Sequence, residues 1–153
     1  MNALEHRQIA ALIDAVGRIR GRLKGCYAPA QVPSGLTDTE AMVLTAVVGA
    51  ATPPTVAQIG RSLGHPRQVI QRATNQLIAT GLVLPAANPN HKRAPLLHPT
   101  PSGSALAAET SARAEAITAR LADRIDTALV VEATAVLNRL RAQIEAVVRE
   151  DAT

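Results

Sequence analysis

The sequence predicts a mainly α protein with one small β-hairpin: a helix–turn–helix lobe carrying the hairpin, flanked by long terminal helices. Three observations lead there. Hydrophobic residues make up 47% of the 153 residues, yet Tyr27 is the single aromatic. A core of Ala, Leu, Val and Ile favours helices, because Ala lets helix axes approach and Leu fills the gaps. Apolar residues recur at three- and four-residue spacing through most of the chain. Between residues 82 and 97 that spacing yields to two short apolar runs around a Pro/Asn-rich tip, as in a hairpin. The length is that of one domain with room for a real core.

Taken in order, Leu4 to about Lys24 reads as a first helix, with Leu4, Ile9, Leu12, Ile13, Val16, Ile19 and Leu23 on one stripe. Gly25, Pro29, Pro33 and Gly35 then punctuate "GCYAPAQVPSG" and are expected to break it. In "LTDTEAMVL", Thr37 and Glu40 have capping-box spacing for a second helix. "TVAQIGRSLG" is a short third helix, capped by Thr55 and stopped by Gly64. Pro66 suits the first turn of a fourth helix, "PRQVIQRATNQLIATG", with Val69, Ile70, Ala73 and Leu77 as its buried face and Gly81 past its end. Leu82–Leu84 and Pro95–Leu97 are the hairpin runs, and Pro85, Pro95 and Pro99 make them short and edge-like. Thr100–Pro101 starts a further helical stretch, with a break expected near Asp126–Val131. A helix–turn–helix followed directly by a hairpin is the plan of a winged helix, whose second helix enters the DNA major groove while the wing reaches the backbone or minor groove.

The charge distribution supports that use. The net charge is +4, but residues 55–103 hold Arg61, Arg67, Arg72, Lys92 and Arg93 with no acid, and the acid-free stretch runs from Ala41 to Ala108. Such a surface is suited to a polyanion. The polar face of the fourth helix collects Arg67, Gln68, Gln71, Arg72 and Asn75. Arg donates two hydrogen bonds to guanine, and Gln and Asn match adenine's donor–acceptor pair. Any of the five also suits phosphate.

"LTDTEAMVL", "TVAQIGRSLG", "PRQVIQRATNQLIATGLV" and "NPNHKRAPLLHPTPSG" together resemble the MarR (multiple antibiotic resistance regulator) family of bacterial transcription factors. Arg93 falls on the family's wing arginine, and Thr100 and Gly103 fall on its closing Thr and Gly. Asn88 and His91 stand where the family's wing has acids, and Pro99 stands where it has Leu. In relatives an acid often orients the wing arginine, so Arg93 is expected here either to be more mobile or to be held by other groups. The resemblance implies a single MarR-like domain over 1–153, with a winged helix-turn-helix DNA-binding lobe at 36–103. It implies a helical dimerisation region at 1–27 and 104–150. It further implies recognition-helix contacts from Arg67, Gln68, Gln71, Arg72 and Asn75, and wing contacts from His91, Lys92 and Arg93. The expected partners are double-stranded operator DNA, a second copy of the chain and a small organic-acid effector. Repression relieved by that effector is the expected regulation. Arg18, Arg22 and Tyr27 are the candidates to meet the effector, in an aliphatic crevice with one or two polar anchors.

Other function classes find little support. A winged helix acting only as a protein–protein module is the alternative; an acidic reader face would favour it, and the acid-free middle third argues against it. No nucleophile–base pair, carboxylate pair or phosphate loop points to an enzyme. His65, His91 and His98 lie in separate elements, so no metal site and no cofactor are expected. Cys26, the lone cysteine, is expected just past the first helix as a small buried or inert thiol. No apolar run reaches the ~18 residues of a membrane span, and "MNALEHRQIAALID" lacks the pattern of a secretion signal. A cytoplasmic location is expected.

Overall fold

The computed structural model describes residues 3–31 and 34–150, and the side chains of residues 3–5 are outside that description. The expected roles of Pro33 and of the Leu4 side chain therefore lie outside the described residues. Six helices and one two-stranded antiparallel hairpin are described: α1 Ala3–Gln31, α2 Asp38–Val48, α3 Val56–Leu63, α4 Arg67–Ala79, β1 Val83–Ala86, β2 Leu96–Pro99, α5 Pro101–Ala122 and α6 Thr127–Glu150. The chain divides into two compact units, one up to Ala114 and one from Glu115 onward.

Local chemistry sets the helix starts. Thr37 accepts from the Glu40 amide while Glu40 accepts from the Thr37 amide, closing the expected capping box of α2. A second box opens α3: Thr55 accepts from the Gln58 amide, and Gln58 Oε1 accepts from Thr55 N at 2.8 Å. Each box satisfies amides that have no partner within the helix. Gly64 ends α3 at φ 65°, the left-handed conformation that turns the chain toward α4. Pro66 is the N-cap of α4 rather than its first helical residue.

One core joins these elements. Val43, Leu44 and Val47 of α2, Val56 and Ile59 of α3, and Ile70, Ala73 and Leu77 of α4 pack with Val83, Leu97 and Ala107. Removing a Leu or Ile of this kind from water is worth ~2 kcal/mol. The hairpin register pairs Val83 with Pro99, Leu84 with His98, Pro85 with Leu97 and Ala86 with Leu96. Leu97 N also donates to Pro54 O at 2.9 Å, tying β2 to the turn before α3.

Where β2 meets α5, Thr100 acts as a three-way tie. Its hydroxyl donates to Gly81 O at 2.8 Å and accepts from Gly103 N at 2.9 Å, while its amide donates to Leu82 O at 3.1 Å. A Cβ at Gly103 would lie 2.0 Å from Leu82 O, so this closure requires glycine.

Four expectations are corrected. α1 does not stop at Lys24; it passes through Gly25 and Pro29 to Gln31, which places Cys26 inside the helix, exposed. Gly costs ~1 kcal/mol relative to Ala in a helix and an interior Pro ~3 kcal/mol. Pro29 lies only two residues from the end, and Ala30 beside it is 2% exposed, so burial holds the last turn. Val69 is exposed, and Thr74 takes its place on the buried face of α4. At ~100° per residue, Ile70, Ala73, Thr74 and Leu77 share a narrow arc and Val69 falls at its margin. The strands begin one residue later than the apolar runs and take in Pro85, Ala86, His98 and Pro99. The break in the C-terminal helices covers residues 123–126, earlier than expected. Its cause is Asp126, whose carboxylate accepts from Ala128 N at 2.9 Å and so starts α6.

Candidate nucleic-acid interface

α3, its Gly64 turn and α4 form a helix–turn–helix in which α4 shows solvent a polar surface. Arg67, Gln68, Gln71, Arg72 and Asn75 are all exposed, and no acid lies among them. Helical geometry divides the five. At ~100° per residue, Gln68, Gln71, Arg72 and Asn75 fall within an arc of ~100°, while Arg67 lies ~90° from its centre, on the side of Thr74. Gln71 Nε2 donates to Asn75 Oδ1 at 2.9 Å. That bond fixes the amide orientation and leaves Gln71 Oε1 as an acceptor and Asn75 Nδ2 as a donor for a partner.

Asn88 organises the wing without an acid. Its Nδ2 donates to Ala94 O at 2.8 Å across the tip, and its Oδ1 accepts from Asn90 N at 3.0 Å. Backbone bonds from His91 N to Asn88 O and from Ala94 N to His91 O complete the turn. His91, Lys92 and Arg93 stand exposed on this tip. Among the described residues no hydrogen bond or ion pair engages the side chain of Lys92 or Arg93, so both cations are open to an anion. A carboxylate at 88 would lack the donor to Ala94 O and would add negative charge to the tip. The "NPN" sequence is the signal for this device, because Asn bonds its own backbone two residues on.

Beneath the tip, α3, the start of α4 and the wing bound a groove of about 450 Å³ lined by Gln58, Arg61, Arg67, Asn88, Asn90 and His91 among others. Gln58, Arg61, Asn88 and Asn90 are lining residues here that the sequence did not single out as a site. The candidate interface therefore comprises an exposed polar face on α4, a cationic tip and a groove between them.

The effector candidates separate. A second groove, of about 380 Å³, is lined by Val16, Ile19, Arg20, Leu23, Lys24, Tyr27, Gln31, Asp38 and Met42. Tyr27 belongs to it; Arg18 and Arg22 do not. Arg18 instead pairs with Asp14 one helical turn away at 2.8 Å. Arg20 and Lys24, one turn apart on α1, supply the cations of this groove, and Lys24 pairs with Asp38 across it.

Comparison with known proteins agrees with this geometry. A family model described as "MarR family" matches residues 34–94, which hold α2 to the wing tip. An uncharacterised protein of Mycobacterium tuberculosis (strain ATCC 25618 / H37Rv) is 34% identical over 121 residues, covering 79% of this chain and 83% of that one. The chain belongs to the MarR family. Among solved structures, a MarR-family transcriptional regulator from Rhodococcus sp. RHA1 is 25% identical, with TM-score 0.71, over 92% of this chain and 96% of that one. A cysteine-to-serine mutant of MarR from E. coli, complexed with operator DNA, shares the fold at TM-score 0.76 and 19% identity, over 87% and 95% of the two chains. This MarR-family chain thus has the fold of a DNA-binding transcription regulator, and the structural neighbours named are regulators rather than enzymes. Among the described residues no cluster of three His, Cys, Asp or Glu is placed to hold a metal ion. No described helix is long and apolar enough to cross a membrane.

Proposed function

We propose that this MarR-family chain is a homodimeric, sequence-specific transcriptional repressor of the cytoplasm, released from operator DNA by a small organic acid. The observation that carries the reading is the acid-free face of Gln68, Gln71, Arg72 and Asn75, set on a buried core beside a wing whose Lys92 and Arg93 are unpaired among the described residues. Residues 36–103 are the DNA-binding lobe. In it α4 meets base edges and His91, Lys92 and Arg93 meet backbone or minor groove.

Residues 1–27 and 104–150 are the dimerisation region. Ile9, Ile13, Val16, Ile19 and Leu23 of α1 are between 41% and 66% exposed, and α6 has no buried residue despite Leu129, Val136, Ile144 and Val147. Apolar faces of that extent support coverage by a second copy. The groove beside Tyr27 is the effector site: Arg20 attracts a carboxylate while Lys24 is held by Asp38, and Tyr27, Val16, Ile19 and Leu23 receive its organic body. To lower operator affinity ~10–100-fold, the effector needs ~1.4–2.7 kcal/mol of preference for the DNA-incompetent state.

The test is a mobility-shift assay on DNA flanking the gene, against random duplex of equal length, with and without aromatic and other organic acids. Selective retardation that an acid reverses is expected. Equal affinity for both DNAs would remove sequence specificity, and no retardation at low salt would favour a protein–protein module. Acids that raise the melting temperature yet leave retardation unchanged would remove the effector role.

A further inference from the structure

We infer that the groove between α3, the start of α4 and the wing tip seats a phosphodiester of the DNA backbone, with Arg61 and Arg67 as its clamp. The inference rests on the DNA-binding reading above and assigns roles that reading leaves open. Arg61 becomes a contact residue, and Arg67 leaves the base-reading set.

Three observations carry it. The groove draws on three separate elements, and each contributes a cationic or protonatable side chain: Arg61 from α3, Arg67 from α4 and His91 from the wing. No acid lines it, and neither Arg61 nor Arg67 forms an ion pair among the described residues, so both guanidiniums are uncompensated. The other polar lining residues supply donors as well. Gln58 Oε1 is occupied by the Thr55 amide and hydroxyl, which leaves its Nε2 hydrogens for a ligand. Asn90 completes the set beside Asn88, whose side chain is already committed to holding the tip in place.

Shape decides between base and backbone. Base edges lie at the floor of the major groove and are met by a protruding surface, which is the Gln68–Gln71–Arg72–Asn75 arc. A concave corner instead receives the convex sugar–phosphate strand. Arg67 lies ~90° around α4 from the centre of that arc, toward the corner. Guanidinium groups suit the role because their planar fork matches two phosphate oxygens at once.

The test compares wild type, Arg61→Gln and Arg67→Gln on random duplex DNA and on the flanking DNA, each across a salt series, with Arg61→Lys as the charge-retaining control. Each phosphate contact contributes about 0.9 to the slope of log affinity against log salt, so losing one per subunit flattens a dimer's slope by about 2. Both Gln variants are expected to show that flattening on both DNAs, with an unchanged flanking-to-random affinity ratio and an unchanged melting temperature. Arg61→Lys is expected to keep most of the slope. Wild-type slopes in both Gln variants would overturn the clamp. A fallen affinity ratio in Arg67→Gln would return Arg67 to base reading and overturn its part. Inorganic phosphate competing with DNA beyond chloride of equal ionic strength, in wild type but not in Arg61→Gln, would support the groove as a phosphate seat that Arg61 forms. Wild type failing to bind either DNA would instead refute the DNA-binding reading itself.

Discussion

Replacing Gly103 with Ala is expected to destabilise the winged-helix lobe, although Ala is the better helix former by ~1 kcal/mol. The reason is the carbonyl of Leu82. A Cβ at position 103 would lie 2.0 Å from that oxygen, and ordinary contact begins only at 3.4 Å, so the first turn of α5 and the residue just before β1 must move apart. That movement pulls on three hydrogen bonds: Thr100 N to Leu82 O, Gly103 N to Thr100 Oγ1, and Thr100 Oγ1 to Gly81 O. At ~1 kcal/mol net for each, their loss costs ~3 kcal/mol, and an unsatisfied buried donor or acceptor adds a further ~1–3 kcal/mol. Less the ~1 kcal/mol that Ala gains as a helix former, the net loss of ~3–5 kcal/mol is a large share of the ~5–15 kcal/mol that holds a typical domain. Thr100→Val, which removes two of the bonds without the clash, is expected to cost ~2 kcal/mol. Urea denaturation followed by far-ultraviolet circular dichroism measures both. Gly103→Ala matching wild type in midpoint and slope would refute the argument, as would Thr100→Val proving the more damaging of the two.

Arg72→Ala is expected to cost ~1–3 kcal/mol per contact on flanking DNA and little on random DNA, whereas Lys92→Ala weakens both alike and flattens the salt slope; equilibrium titrations of both variants on both DNAs check the division. A chain lacking residues 128–153 is expected to sediment as a monomer and bind DNA poorly, and a stable dimer of that chain would place the interface elsewhere. Thr74→Val is expected to stabilise the protein by ~1 kcal/mol, because the Thr74 hydroxyl is buried without a partner on the inner face of α4, and the shift in urea midpoint reads it.

Legibility in the sequence followed the range of the interactions. The starts of α2 and α3 were readable because an N-cap side chain acts within its own first turn, although the box that Gln58 closes on Thr55 was not foreseen. The exposed, acid-free polar face of α4 was readable because helical spacing and the missing acids are both local. Features set by distant contacts were not. Nothing near Gly25 or Pro29 announces that burial of Ala30 carries α1 to Gln31. Thr74 looks like a surface residue until the core is assembled around Ile70 and Leu77, and Val69 looks like core for the same reason. The groove of Arg61 and Arg67 joins residues from α3 and α4 to a wing much further along the chain. Charge counting marks the stretch as basic without saying which side chains converge. In the wing, Asn88 was visible as a departure from the family pattern, while its role as a clip depends on the Ala94 carbonyl across the turn.

The placement of Tyr27 has an optical consequence. It is the chain's one aromatic residue, with no Trp and no Phe elsewhere, and it lines the groove beside Arg20 and Lys24. The near-ultraviolet emission of the folded chain therefore comes from a single phenol on the wall of that groove. With no indole to drain its excitation, a bound molecule that absorbs in the tyrosine emission band quenches it directly. Titrating unlabelled protein at one wavelength then follows occupancy of this groove.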